Sequence, residues 1–142
     1  MSRATRASTV LVAAALAVLV AGCGAEAPSH QYGAWILVSA DTAEGTIELI
    51  DSHPVTLTIS TSDFGGTAAC NAYGGEVVTK SGVWLPSTME VTAMACEPAA
   101  VMTLEAAYLD ALDRATQHEA TPDELVLLGP DGITLRFERA GS

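Results

Sequence analysis

The sequence predicts an α+β fold that is mainly β, on three observations. Residues Val55 to Thr61 alternate apolar and polar without a break, other short runs of branched and aromatic residues are divided by glycine and proline, and one segment alone carries helical periodicity. Ala34–Ala40 (AWILVSA) reads as a strand led by a large aromatic, and Thr46–Ile50, after Gly45, as a second. In VTLTIST, Val55, Leu57 and Ile59 share one face and hydroxyl residues take the other, the pattern of a half-buried strand. Asp63–Gly75 (DFGGTAACNAYGG) is rich in glycine and reads as a turning loop, after which an extended stretch resumes at Glu76–Thr79. Val83–Leu85 and Met89–Thr92 supply further strand residues around Pro86, which belongs at an edge or a bulge because it donates no ladder hydrogen bond. Over residues 97–116, Val101, Leu104, Tyr108 and Leu112 mark one face of a helix. Pro98 suits its first turn, Glu97 and Glu105 lie towards the positive end of its dipole, and Arg114 lies near the negative end. Leu125–Leu128 and Ile133–Phe137 flank Gly129-Pro130-Asp131-Gly132, so a β-hairpin closes the chain.

Ahead of these elements lies an address. Met1–Arg6 carries two arginines and no acid, and Ala7–Ala21 follows without charge. That run is shorter than the roughly 20 apolar residues that span a bilayer, and Glu26, Pro28, Ser29 and His30 come soon after it, which fits an export signal better than a membrane span. Val20-Ala21-Gly22-Cys23 resembles a bacterial lipobox. The expectation is a lipoprotein signal peptide over 1–22, a diacylglyceryl thioether on Cys23, a lipid-anchored tether over 23–32 and one domain over 33–140. The protein then sits on the bacterial cell membrane, facing the extracytoplasmic side, and the lipid on Cys23 makes the membrane its partner. After Cys23 the basic side chains are Lys80, Arg114, Arg136 and Arg139, against 17 acids in the chain. Such a surface repels phosphate backbones, which excludes nucleic acid as a partner.

With Cys23 assigned to the lipid, Cys70 and Cys96 remain as an even pair in a compartment that permits disulfides. Bonding them stabilises the domain by roughly 3.5 kcal/mol in the chain-entropy treatment. A metal site is the weaker alternative, because His30, His53 and His118 are scattered and no Cys-x-x-Cys or His-x-x-x-His occurs. Free thiols are the other, with only Cys96 close to a helix N-terminus.

Particular residues carry a family resemblance. Trp35 opens the first strand; Cys70-Asn71-Ala72-Tyr73-Gly74-Gly75 follows the third; Thr92-Ala93-Met94-Ala95-Cys96 precedes the helix, which carries Glu105, Tyr108, Leu109 and Leu112; and a hairpin holds Leu125, Leu127, Leu135 and Phe137. This order is similar to the META domain, an HslJ-like family of bacterial lipoproteins, over about Tyr32 to Arg139. The family-motif residues are therefore Trp35, Asn71, Tyr73, Gly75, Thr92, Met94 and Glu105. Two positions depart from the family pattern: Ala69 stands where glycine is frequent and Ala93 where arginine is frequent. The resemblance implies a curved antiparallel sheet or partly open β-barrel with the helix packed on its concave side, since neither apolar surface can stay wet. It also implies a noncatalytic envelope or stress-associated protein, with an interaction module as the first reading. A carrier or pilot-like protein that binds an apolar ligand or an envelope subunit is the second.

The sharper readings of single residues are weaker than the bland ones. Asn71 and Tyr73 suit a ligand loop, but asparagine favours turns and a tyrosine beside a buried disulfide is usually a core wall. Trp35 and Trp84 read as core. Asp110, Asp113, Glu119, Asp123 and Glu124 lack the alternating oxygen-ligand loop of calcium sites and read as a solvated face. No Gly-x-Ser-x-Gly elbow, phosphate-cradling glycine loop or zinc-protease motif occurs. The expectation is a monomer with no enzymatic activity, no cofactor, no metal and an envelope protein as partner.

Overall fold

A computed structural model describes residues 29–141. The expected signal peptide and Cys23 lie outside the described residues. Among the described residues nine strands and one α-helix follow in the order β1 (Gly33–Thr42), β2 (Gly45–Thr46), β3 (Thr56–Ile59), β4 (Asp63–Ala68), β5 (Asn71–Val78), β6 (Leu85–Val91), α1 (Ala99–Arg114), β7 (Gln117–Ala120), β8 (Glu124–Leu128) and β9 (Thr134–Arg139), with a short 3-10 turn at Pro130–Gly132 between the last two. The strands form one antiparallel sheet in the order β6-β5-β4-β3-β1-β9-β8-β7, with β2 added to β1 as a short hairpin.

The sheet curls until its two ends meet. Trp84 N–H donates to the Thr116 carbonyl at 2.9 Å and His118 N–H to the Gly82 carbonyl at 2.8 Å, so the residues before β6 bridge to β7. His118 Nδ1 lies 2.9 Å from the Val83 carbonyl, and since a carbonyl only accepts, that nitrogen carries the proton. The rest of β6 is not paired beyond β5, which leaves a partly open half-barrel.

Helix α1 fills the inside. Its buried stripe is Val101, Leu104, Glu105, Tyr108, Ala111 and Leu112, packed against strand residues at the expected inward positions, Val55, Leu57 and Ile59 among them. Trp35, Trp84, Tyr108 and Phe137 are all 0% exposed. Trp84 donates its indole N–H to the Leu112 carbonyl at 3.2 Å, so the ring is held by the helix it covers.

The strand expectations need four corrections. Asp63–Gly75 is not a loop but most of the β4–β5 hairpin, turning at Ala69-Cys70. Its glycines permit close approach between strands: a Cβ on Gly75 would lie 2.8 Å from the Ser87 carbonyl oxygen and 3.1 Å from the Phe64 ring. The expected second strand shrinks to Gly45–Thr46: Ile47 N–H still donates to the Ala40 carbonyl of β1 at 2.8 Å, but residues 48–50 are not paired in the sheet and face α1 across a groove. The segments on either side of Pro86 merge into β6, where Pro86 sits opposite Val77 on the sheet edge, as its missing N–H requires. Strand β7 was not foreseen: Gln-His-Glu-Ala has no apolar alternation, and backbone pairing with β8 holds it in place. The helix begins one residue after Pro98, which takes the N-cap position.

Candidate functional site

Four of the family-motif residues, Asn71, Thr92, Met94 and Glu105, converge at the turn end of the β4–β5 hairpin. Asn71 is 2% exposed at the start of β5. Its backbone N–H donates to Glu105 Oε2 at 2.6 Å, and its side-chain amide donates to Glu105 Oε1 at 2.8 Å and to the Met94 carbonyl at 3.0 Å. Its Oδ1 accepts from the Met94 N–H at 2.7 Å and from the Thr92 hydroxyl at 2.8 Å. Two donors and two lone pairs are all an asparagine side chain has, so every one is used. The same Thr92 hydroxyl accepts from the Ala72 N–H at 3.1 Å.

Cys70 and Cys96 are bonded beside this cluster, with Cα atoms 6.0 Å apart. The bridge and Asn71 together pin residues 92–96, largely exposed and outside regular structure, which join the edge strand to the helix. Glu105 faces inward, contrary to the dipole role expected of it. It is buried and holds Asn71, 34 positions earlier in sequence. A buried carboxyl group with both oxygens accepting from Asn71 ties the hairpin to the helix, and its burial keeps it from solvent.

Deeper in, Tyr73 and Tyr108 meet hydroxyl to hydroxyl at 2.6 Å. Tyr73 donates to the Thr56 carbonyl at 2.8 Å, so Tyr108 is the donor between the two rings. They belong to a line of aromatic edges running Trp84–Phe64–Tyr73–Tyr108–Phe137, with centroids 5.5, 6.1, 5.7 and 6.5 Å apart. Burial pushes the Tyr73 phenol well above its ordinary value, partly offset by its hydrogen bond to Tyr108. Burial and the neighbouring Tyr73 push the Tyr108 phenol up as well. The folded state thus favours the neutral phenols. Their stabilisation is complete below the ordinary tyrosine value of about pH 10 and is lost as pH rises beyond it. In an ultraviolet titration followed together with circular dichroism, both tyrosines should ionise only as the domain unfolds. Ionisation of either while the native dichroism persists would contradict a closed pair.

At the far end of β1, Arg139 lies over the Trp35 ring at 4.1 Å from its centroid and donates to the carbonyls of His30 at 2.8 Å, Tyr32 at 3.2 Å and Pro122. Trp35 Nε1 donates to the Gln31 carbonyl at 3.0 Å. Residues 30–32 are therefore fastened to the domain where the chain enters it.

Among the described residues no group of three or more histidines, cysteines or carboxylates is placed to hold a metal. The acidic positions near the helix and hairpin pair outward instead, Asp110 with Arg114 at 3.2 Å and Glu124 with Arg136 at 2.6 Å. No helix of the described residues is long and apolar enough to cross a membrane. A groove of about 550 Å³ opens on the outside, between residues 42–50 and α1, with Glu44, Ile47, Glu48, Leu104 and Ala107 in its lining.

The META domain family matches residues 29–142. The chain belongs to that family. META-domain membership points to a non-enzymatic, envelope-related protein. A protein from Burkholderia xenovorans solved by NMR is 31% identical, with a TM-score of 0.65 over 78% of this chain and 83% of that one. A second NMR structure is 20% identical with a TM-score of 0.59, over 78% of this chain and 91% of its own. The crystal structure of a DUF4847-family protein from Bacteroides vulgatus is 11% identical with a TM-score of 0.57, over 80% of this chain and 96% of its own. These last two share the fold. No curated protein matches the chain.

The two departures from the META pattern have a local reading. Ala69 takes φ 66°, the left-handed region where glycine is least strained, so the family's frequent glycine there answers to the hairpin turn. Ala93 is exposed and makes none of the ionic contacts that an arginine would offer.

Proposed function

We propose that this META-domain chain is a noncatalytic, lipid-anchored protein of the cell envelope, exported by residues 1–22 and held to the outer face of the membrane by a lipid on Cys23. Its domain works as an interaction module for other envelope components. One observation carries the noncatalytic part. The polar residues that look most like a reactive constellation, Asn71, Thr92 and Glu105, are consumed by one another, and Tyr73 and Tyr108 are closed into the core. A carrier with its ligand inside the barrel is the less favoured reading, because α1, Trp84 and Phe137 occupy that interior at full burial.

The anchoring part rests on the small residues ahead of Cys23. Growth on labelled palmitate should label the protein, and Cys23→Ala should remove both the label and membrane retention, since stable anchoring takes two or more acyl chains. An unlabelled, freely released wild type would reject the anchor. For the module, crosslinking of the tethered protein in cells should capture a dominant envelope partner; turnover of an envelope component by the purified protein would reject the noncatalytic reading.

A further inference from the structure

Helix α1 presents two faces. Val101, Tyr108 and Leu112 enter the barrel, whereas Ala100, Thr103, Ala107 and Asp110 face outward. With Leu104 between the two faces, the outward residues form one wall of the groove whose other wall is residues 42–50. Small side chains on the helix give the groove its depth, and Ile47 and Ile50 make the facing wall apolar. Its volume of about 550 Å³ falls within the roughly 300–1,000 Å³ range of small-molecule sites. A smaller, more enclosed pocket of about 200 Å³ adjoins it at Ile50 and Leu104 and reaches towards His53.

Charge at the rim has one sign. Glu44, Glu48 and Asp110 line the groove, and no lysine or arginine does. The nearby Arg114 is already shared between Asp110 at 3.2 Å and Asp131 at 2.9 Å. Glu48 has no ion pair among the described residues. The net charge of the whole chain, −11, adds a long-range pull on cations.

We propose that this groove binds a small organic cation with an apolar body, the body against Ile47, Ile50, Leu104 and Ala107 and the positive group between Glu44 and Glu48. An anion of the same size meets Glu44 and Glu48, while Asp110 is paired with Arg114, and an uncharged apolar molecule gains nothing from the two glutamates. The inference holds whether or not Cys23 carries a lipid, so its failure leaves the anchoring unaffected.

The test uses the full chain in nonionic detergent, with protein-free micelles as blank, and two aromatic dyes of opposite charge. Rhodamine 6G, the cation, should bind one to one by fluorescence polarisation and shift amide resonances of residues 42–50 and 100–110. Anilinonaphthalene sulfonate, the anion, should not. Glu44→Gln with Glu48→Gln should weaken rhodamine binding roughly tenfold, and added salt should weaken it too. Glu76→Gln with Glu90→Gln, the same charge change on the far hairpin and edge strand, should leave it intact. Ala107→Trp should block the groove with the circular dichroism unchanged. Equal binding of both dyes, equal loss in both glutamine pairs, or no saturable binding would overturn the proposal. Tighter binding of a short lysine–leucine peptide at the same residues would overturn it in favour of a protein-docking groove.

Discussion

Glu105→Ala should lower the stability of the domain by about 4 kcal/mol and its Tm by roughly 15 °C. The change strips acceptors from two donors at once, the Asn71 backbone N–H and one hydrogen of its side-chain amide. Asn71 is 2% exposed, so water cannot replace them without opening the hairpin end. Each orphaned buried donor costs about 1–3 kcal/mol. Glu105→Gln should cost less, about 2 kcal/mol, because one carbonyl oxygen still accepts while the new NH₂ group faces a donor. The two removals should not add. With Asn71→Ala already made, Glu105→Ala has only the backbone N–H left to orphan, so a double-mutant cycle should give a coupling of about 1–3 kcal/mol. Thermal melts of the four proteins decide it. If Glu105 were instead poised for a ligand, both variants would melt with the wild type.

The sequence carried the stripe on α1 but not the identity of one residue in it. Val101, Leu104, Tyr108 and Leu112 are apolar, and their spacing alone predicts the buried face. Glu105 lies within that face, four positions after Val101 and three before Tyr108, and the only sign of its burial was that position. A carboxylate reads as solvated until its partner is known, and Asn71 sits 34 residues away, beyond any local pattern. The same limit hid β7 and the closure of the barrel, which depend on backbone bonds from Trp84 and His118 that no side-chain periodicity reports. Residues 47–50 misled in the opposite sense: Thr46-Ile47-Glu48-Leu49-Ile50 has a strand's composition, yet beyond the Ile47 N–H bond to Ala40 it is not paired in the sheet. They face the helix across a groove, which arises from tertiary packing that no single segment encodes. The disulfide was legible because cysteine counting and compartment constrain the answer globally, without reference to geometry.

Removing that disulfide should be the other large loss. Cys70→Ala with Cys96→Ala should cost about 3.5 kcal/mol, chiefly by releasing the unfolded chain from a closed loop. The bonded residues are 26 positions apart, and the loop between them contains all of β5, all of β6 and the segment leading to α1. Two readouts separate this origin from a simple loss of native contacts. Urea unfolding should show a lower midpoint together with a larger m value, because an unfolded chain without the cross-link exposes more surface. In the folded state, hydrogen exchange should quicken first at residues 92–98 and the opening turn of α1. Beyond the bridge, that connection is held by Asn71, through its bonds to Thr92 and Met94, and by Cys96 N–H on the Met102 sulfur at 3.4 Å. Those bonds should keep the domain folded without the bridge at room temperature. Adding Glu105→Ala to the bridge-free protein should then leave little folded protein, since the bridge and the Asn71 cluster fasten the same junction from two sides. Equal urea midpoints with and without the bridge would show that the junction is held by the buried hydrogen bonds alone.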